Sequence, residues 1–196
     1  MSFVRVLVVA SVIGVTQGCT SLDVHSEPAP VAEQSASSVR AAKPPPGFLD
    51  FCTRSPGQCT ASVQTAERPL VLDVKTWETL QNVNTSINRA LTPKDDAIHY
   101  GVEEYWTIPT DGYGDCDDYV LAKRSALIAA GIPESALSIA VVFTPRFVRH
   151  ALLIVATDHG NYVLDNLRSD IVTWDRADYG WIKHQTPVSS SGWAFF

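Results

Sequence analysis

Apolar residues recur three or four positions apart at Val74, Trp77, Leu80, Val83, Ile87 and Leu91. That spacing is the stripe of an amphipathic helix over Val74 to Leu91, which Thr92-Pro93 ends. Ile98 to Trp106 reads as a short extended or helical piece, followed by Ile108-Pro109 and the turn Asp111-Gly112-Tyr113-Gly114. A second helix is expected over Asp117 to Ala130, mostly apolar and therefore buried, with Gly131 and Pro133 as its stop. The pattern then changes. Leu137 to Thr144, Ala151 to Thr157 and Tyr162 to Leu164 are short runs dense in Val, Ile, Leu and Phe, as strands are. Asp158-His159-Gly160-Asn161 is a hairpin turn between the last two. Helices first and an antiparallel meander afterwards predict an α+β domain. The aromatic end, Gly192-Trp193-Ala194-Phe195-Phe196, reads as a tail packed on the body, with a partner contact as the weaker alternative.

The first 46 residues follow another logic. Val6 to Val15 is an apolar run behind the single charge of Arg5, and Thr16-Gln17-Gly18-Cys19 follows it. This is the layout of a secretory signal peptide over 1–19, too short for a stable membrane anchor. Gly18-Cys19 is also a candidate lipoprotein processing site, although Thr16 stands where such sites usually carry an aliphatic residue. Residues 20–46 are rich in Ser, Ala, Pro and Glu and read as a flexible tether ending in Pro44-Pro45-Pro46. The folded unit is expected over 47–196. No later run approaches the roughly 18 apolar residues of a membrane-spanning helix. A net charge of −6 argues against nucleic acid as the partner.

Export changes how the four cysteines read. Cys19 is removed or lipidated. Cys52 and Cys59 flank Pro56-Gly57, which turns the chain, and an oxidising compartment favours a disulfide between them. Cys116 remains, an odd thiol that is either a buried filler or kept for its reactivity. It opens the second helix, where free N–H groups and the helix dipole favour a thiolate. Asp115, Asp117 and Asp118 oppose that by raising a thiol pKa. A protonated His150 or a hard cation such as Ca²⁺ on the carboxylates would relieve the conflict.

His150 opens the apolar run after Thr144-Pro145-Arg146, and Asp165 closes the strand paired with it. Cys116, His150 and Asp165 thus compose a nucleophile, a base and an orienting acid, each at the edge of an element. Each also has a plain reading: filler thiol, surface imidazole, turn residue, with Asp115 or Asp117 a simple helix cap. The acids do not form an EF-hand, because the sixth position from Asp111 is Cys116 rather than glycine. Trp106 is a candidate cleft wall or oxyanion donor, with a core aromatic the stronger alternative. His99, His159 and His184 are expected at the surface.

The segment from Trp106 to Asp165 resembles the bacterial transglutaminase-like cysteine peptidases, whose best-known members are periplasmic proteases that release biofilm adhesins. The matching residues are Tyr105-Trp106, Pro109, Gly114-Asp115-Cys116-Asp117-Asp118-Tyr119, Lys123, Gly131-Ile132-Pro133, His150-Ala151 and Val163-Leu164-Asp165-Asn166. Phe51-Cys52, Arg54, Pro56, Cys59 and Asn82-Val83-Asn84 extend the match upstream. The resemblance implies a papain-like transglutaminase core over 47–196, with Cys116 as nucleophile, His150 as base and Asp165 as orienting acid. It also implies calcium at Asp115 and Asp117, where Asp117 replaces the commoner Glu with a shorter arm, and no organic cofactor. A periplasmic location and a protein substrate are expected, a cell-surface adhesin being the candidate, with an inner-membrane regulator as candidate partner. Three alternatives stand beside this reading: an acyl transferase with the same triad, a non-enzymatic binding module, and a zinc site built from Cys116, His150 and Asp165.

Overall fold

The computed structural model describes residues 40–59, 69–186 and 192–196. The expected signal peptide, Cys19 and most of the tether lie outside these residues. The tether's last residues do not: Ala41–Ala42 forms strand β1 and Pro46 is the first residue of helix α1, Pro46–Arg54. That part of the expectation is corrected. Proline suits a first helical turn because its missing N–H would be unpaired there anyway. Phe48 and Phe51, three apart, turn the buried face of α1 inward.

Helix α2, Val74–Ala90, is capped by the Asp73 side chain, which accepts the Thr76 N–H at 2.7 Å. Strand β2, Thr92–Pro93, pairs in parallel with β3, Tyr113–Gly114, on either side of the short helix α3, Asp96–His99. Helix α4, Cys116–Ala129, follows β3 directly and is buried nearly all round, as its composition predicts. The meander comes next: β4 Leu137–Phe143, β5 Arg149–Thr157 and β6 Gly160–Leu164. Gly160, which follows the turn residues Asp158 and His159, holds φ at +107°, a conformation that side chains resist.

Three further strands escape the sequence pattern: β7 Val172–Thr173, β8 Gly180–Gln185 and β9 Trp193–Phe195. The sheet order is β1-β9-β8-β4-β5-β6-β7, with every neighbouring pair antiparallel. The aromatic C-terminus is therefore a strand between β1 and β8, not a tail lying on the body.

Strand β5 is buried on both faces. Ala151, Leu153 and Val155 point into the main core beneath α4, with Leu80, Val120, Leu127 and Leu164. Leu152 and Ile154 point the other way, into a smaller core with Ala140, Val142, Val163 and Ala177. Two covered faces explain a continuous apolar run where a half-exposed strand would alternate. The disulfide Cys52–Cys59 closes the loop after α1. Leu153 is fully buried at the centre of this arrangement. Leu153→Ala is expected to destabilise the domain by about 3 kcal/mol, read from the urea midpoint at unchanged slope.

Candidate active site

Cys116 is the first residue of α4, and Asp115 is its N-cap, accepting the Asp117 N–H at 3.3 Å. The backbone thus places the thiol where the helix dipole favours negative charge. The side chains oppose it. Burial pushes the Cys116 thiol up, the Asp117 and Asp115 carboxylates push it further, and only the Ala151 N–H aimed at the sulfur works against them. This environment disfavours the thiolate.

His150, the second residue of β5, is 5% exposed and Asp165 is 1% exposed. Their side chains meet at 2.8 Å between Nε2 and Oδ1. The same Asp165 oxygen accepts the Leu167 N–H at 3.0 Å, and Oδ2 accepts the Tyr179 hydroxyl. Asn88 of α2 donates to the Asp165 carbonyl at 2.8 Å and to the Arg168 carbonyl at 3.1 Å, clamping the loop after β6. Burial would raise the Asp165 pKa, but the bonds from His150, Tyr179 and Leu167 outweigh it and hold the carboxylate below its usual range.

Cys116 and His150 line one cleft of about 380 Å³ with Asp115, Asp117 and Trp106. Trp106 is buried in the main core and also borders this cleft. Its indole N–H is directed at Glu104 Oε2, 3.4 Å away, and its ring meets Phe48 edge-on. Arg54 of α1 donates to the Trp106 carbonyl at 2.8 Å. Gly47 must be a glycine here, because a Cβ would sit 2.5 Å from the Trp106 ring and 2.3 Å from the Glu104 carbonyl. Glu104 reaches across to Arg149, beside His150, in an ion pair.

The acids form two overlapping sets around Asp115. One joins it to the Cys116 sulfur and Asp117, the other to Asp96 and Asp118, with the ligand atoms of each set within 4.8 Å of one another. Asp96 Oδ2 accepts the Tyr105 N–H, and Asp118 Oδ1 accepts the Thr107 N–H at 2.8 Å. Their other oxygens, Asp96 Oδ1 and Asp118 Oδ2, are buried without a partner, as is Asp117 Oδ2. Burial pushes these acids up, Asp96 to about 6 and Asp118 to about 8. Buried, unpartnered carboxylate oxygens fit a hard cation, and the all-oxygen set of Asp96, Asp115 and Asp118 fits calcium better than a set containing sulfur. Asp115 and Asp117 stand in one set; Asp118, which the sequence already offers to a cation, joins the other, and Asp96 is the one addition that sequence reasoning did not reach. Tyr179 and Asn88 were also missed, having no motif to mark them.

Of the remaining histidines, His159 is exposed as expected. His99 is not: its side chain is 8% exposed and bonds Asp111 at 2.8 Å. His184 is half-buried, with Nδ1 at 2.8 Å from the Gln185 carbonyl. The zinc alternative loses its geometry, because Asp165 binds His150 from the side of Nε2 and the three donors form no metal-competent group among the described residues.

The family model for the bacterial transglutaminase-like cysteine proteinases (BTLCP) matches residues 38–196, and the chain belongs to that family. Its α+β domain is accordingly a transglutaminase-like core. Among solved structures it is similar to calcium-bound LapG of Legionella pneumophila, at 26% identity and a TM-score of 0.49, over 55% of this chain and 64% of that one. The EGTA-treated form of the same protein matches at 26% identity and a TM-score of 0.49, over 55% and 62%. The chain thus covers less than two thirds of the solved structures it matches. No curated protein matches it.

The pairing of Asp165 carries a pH signature. A carboxyl held below its ordinary value of 3.8 adds stability above that pH, and the contribution is lost as pH falls through the lower, folded-state value. Asp165→Asn is expected to destabilise the domain near neutral pH, with the difference from the wild type shrinking only as pH falls below the ordinary 3.8, in urea unfolding followed across the acid range.

Proposed function

We propose that this chain is an exported cysteine peptidase that cleaves a peptide bond of a protein substrate. The observation that carries the reading is the buried His150–Asp165 bond at the edge of the cleft into which Cys116 opens. With Nε2–H donated to Asp165, Nδ1 is the ring nitrogen left to act as base. That nitrogen takes the Cys116 proton as the sulfur attacks the substrate carbonyl carbon. The Cys116 backbone N–H, unpaired at the helix start, donates to the oxyanion. His150 then passes its proton to the leaving amine, and the C–N bond breaks to give a thioester. Water attacks the thioester with His150 as base, which releases the acid product and returns the proton to sulfur. Asp165 holds the imidazole in one tautomer throughout.

The thiol's resting state, protonated by burial and by Asp115 and Asp117, supports a role for calcium. A bound Ca²⁺ would neutralise the acids that disfavour the thiolate. Asp96, Asp115 and Asp118 would hold it, with Asp117 adjoining. A signal peptide over 1–19, a tether from residue 20 that ends before β1, periplasmic location and lipidation of Cys19 complete the proposal. They rest on the sequence pattern of the first 46 residues. A cell-surface adhesin as substrate, and an inner-membrane regulator, follow from the family resemblance alone.

Cleavage of a proteome-derived peptide library is expected to fall by about a thousandfold or more in Cys116→Ala and in His150→Ala, with unchanged circular dichroism. Undiminished cleavage by Cys116→Ala would overturn the reading. In calorimetry, calcium is expected to bind the full chain, with affinity reduced at least about tenfold by Asp118→Asn. Stoichiometric zinc in the purified protein, with no calcium binding, would refute the assignment of the metal.

A further inference from the structure

Phe147 is 86% exposed, more than any other large apolar side chain of the described residues. Isolated exposed apolar residues are ordinary and by themselves mean nothing. This one also stands where a side chain is unwelcome. It ends the turn Thr144–Phe147 between β4 and β5, in which its N–H donates to the Thr144 carbonyl at 2.8 Å. Its φ is +59°, in the left-handed region. A hairpin turn of this form usually places glycine there, because a Cβ crowds the following carbonyl. Among the described residues only Glu104 shares that conformation without being glycine.

The fold gains little from the ring. The turn is held by its own backbone and by Thr144, whose N–H donates to the Val148 carbonyl at 2.9 Å and whose hydroxyl accepts the Val148 N–H at 3.2 Å. With most of its surface in water, the ring buries too little apolar area to offset a strained backbone. A residue that strains the fold without packing on it is explained by what it meets outside the chain. The next three residues, Val148, Arg149 and His150, all line the Cys116 cleft, and Val148 is itself 60% exposed. Val141 and Ala151 continue this wall toward the sulfur, at which the Ala151 N–H is aimed. The ring therefore extends the apolar side of the cleft outward. A lipid surface fits this mouth poorly, because Asp95, Glu103 and Glu104 also line it and the chain carries a net charge of −6.

We propose that Phe147 is a specificity-determining residue, its ring receiving a large apolar side chain of the substrate peptide at the rim of the cleft. The inference rests on the peptidase reading, in which the substrate enters beside His150. Phe147 and His150 are three residues apart, so their Cα atoms lie within about 11 Å of each other. An extended peptide rises about 3.3 Å per residue, which puts the apolar side chain about three residues from the scissile bond.

The test uses the full chain, its Phe147→Gly and Phe147→Asn variants, and a proteome-derived peptide library. Wild-type cleavage sites, identified by mass spectrometry, are expected to be enriched in Phe, Leu or Ile at one position about three residues from the cut. In both variants kcat/KM for those peptides is expected to fall about tenfold, and for peptides lacking the apolar residue to change by less than about twofold. Glycine and asparagine tolerate a left-handed φ, so neither variant should melt below the wild type, and Phe147→Gly is expected to melt about 2 °C or more above it. Sites without that enrichment, an enrichment that persists in the variants, or a melting point lowered in both would overturn the role given to Phe147. So would wild-type dimers that the variants lose in sedimentation, since a second copy would then cover the ring. A wild type that cleaves no peptide would overturn the peptidase reading instead. The library is then equilibrated with Cys116→Ala chain, with and without Phe147→Gly. Retention of apolar peptides that Phe147→Gly abolishes upholds the contact, and retention that is absent or unaffected refutes it.

Discussion

The Asp165 carboxylate is the interaction on which the rest of the molecule depends. It is almost completely buried, which by itself would favour the neutral acid. Hydrogen bonds from His150 in β5, from Leu167 in its own loop and from Tyr179 before β8 hold it as an anion instead. Asn88 of α2 fixes its carbonyl. Segments from positions 88, 150 and 179 thus converge on one residue at the end of β6. Removing any of them leaves a buried polar group short of a partner, which is more costly than never having made the bond. The strands that build the sheet also bring the imidazole and carboxylate together, so the core and the candidate active site share their scaffold.

The opposite wall of the cleft is built on the reverse principle. Asp96, Asp115, Asp117 and Asp118 lie close together, and three of them bury an oxygen with no partner. Like charges gathered in a poorly hydrated place raise one another's proton affinity, and the thiol among them shares that fate. The N-terminus of α4 favours the thiolate, but a helix dipole is worth only about 0.3–1 kcal/mol at an ordinary site and cannot outweigh buried carboxylates. One wall is electrostatically complete; the other has the form of a ligand set.

Features carried by local pattern were legible in the sequence. The stripe of α2, the stop after α4 and the Asp-His-Gly turn all appear where spacing and turn chemistry put them. So do the order and edge positions of Cys116, His150 and Asp165. What escaped depends on tertiary pairing. Ala41–Ala42 carries no pattern of its own and becomes a strand only because Trp193–Phe195 offers an edge. In β8, Trp181, Ile182, Lys183 and His184 are all half-buried, so no alternation marks them. Asp96 and Tyr179 reach the site from 20 residues before Cys116 and 14 residues after Asp165, beyond the range of any motif, and His99 is buried by Asp111 and the nearby tyrosine rings.

Strand β5 has side chains locked into a core on each face, and it brings the Ala151 amide to the sulfur and the imidazole to the cleft that the sulfur lines. The facing segment from Asp95 to Thr107 has little regular structure and is anchored through a few side-chain bonds. Divergence among related sequences should therefore be lopsided. The reactive half is frozen by its scaffold, while the facing half is free to drift and to acquire new preferences for what enters.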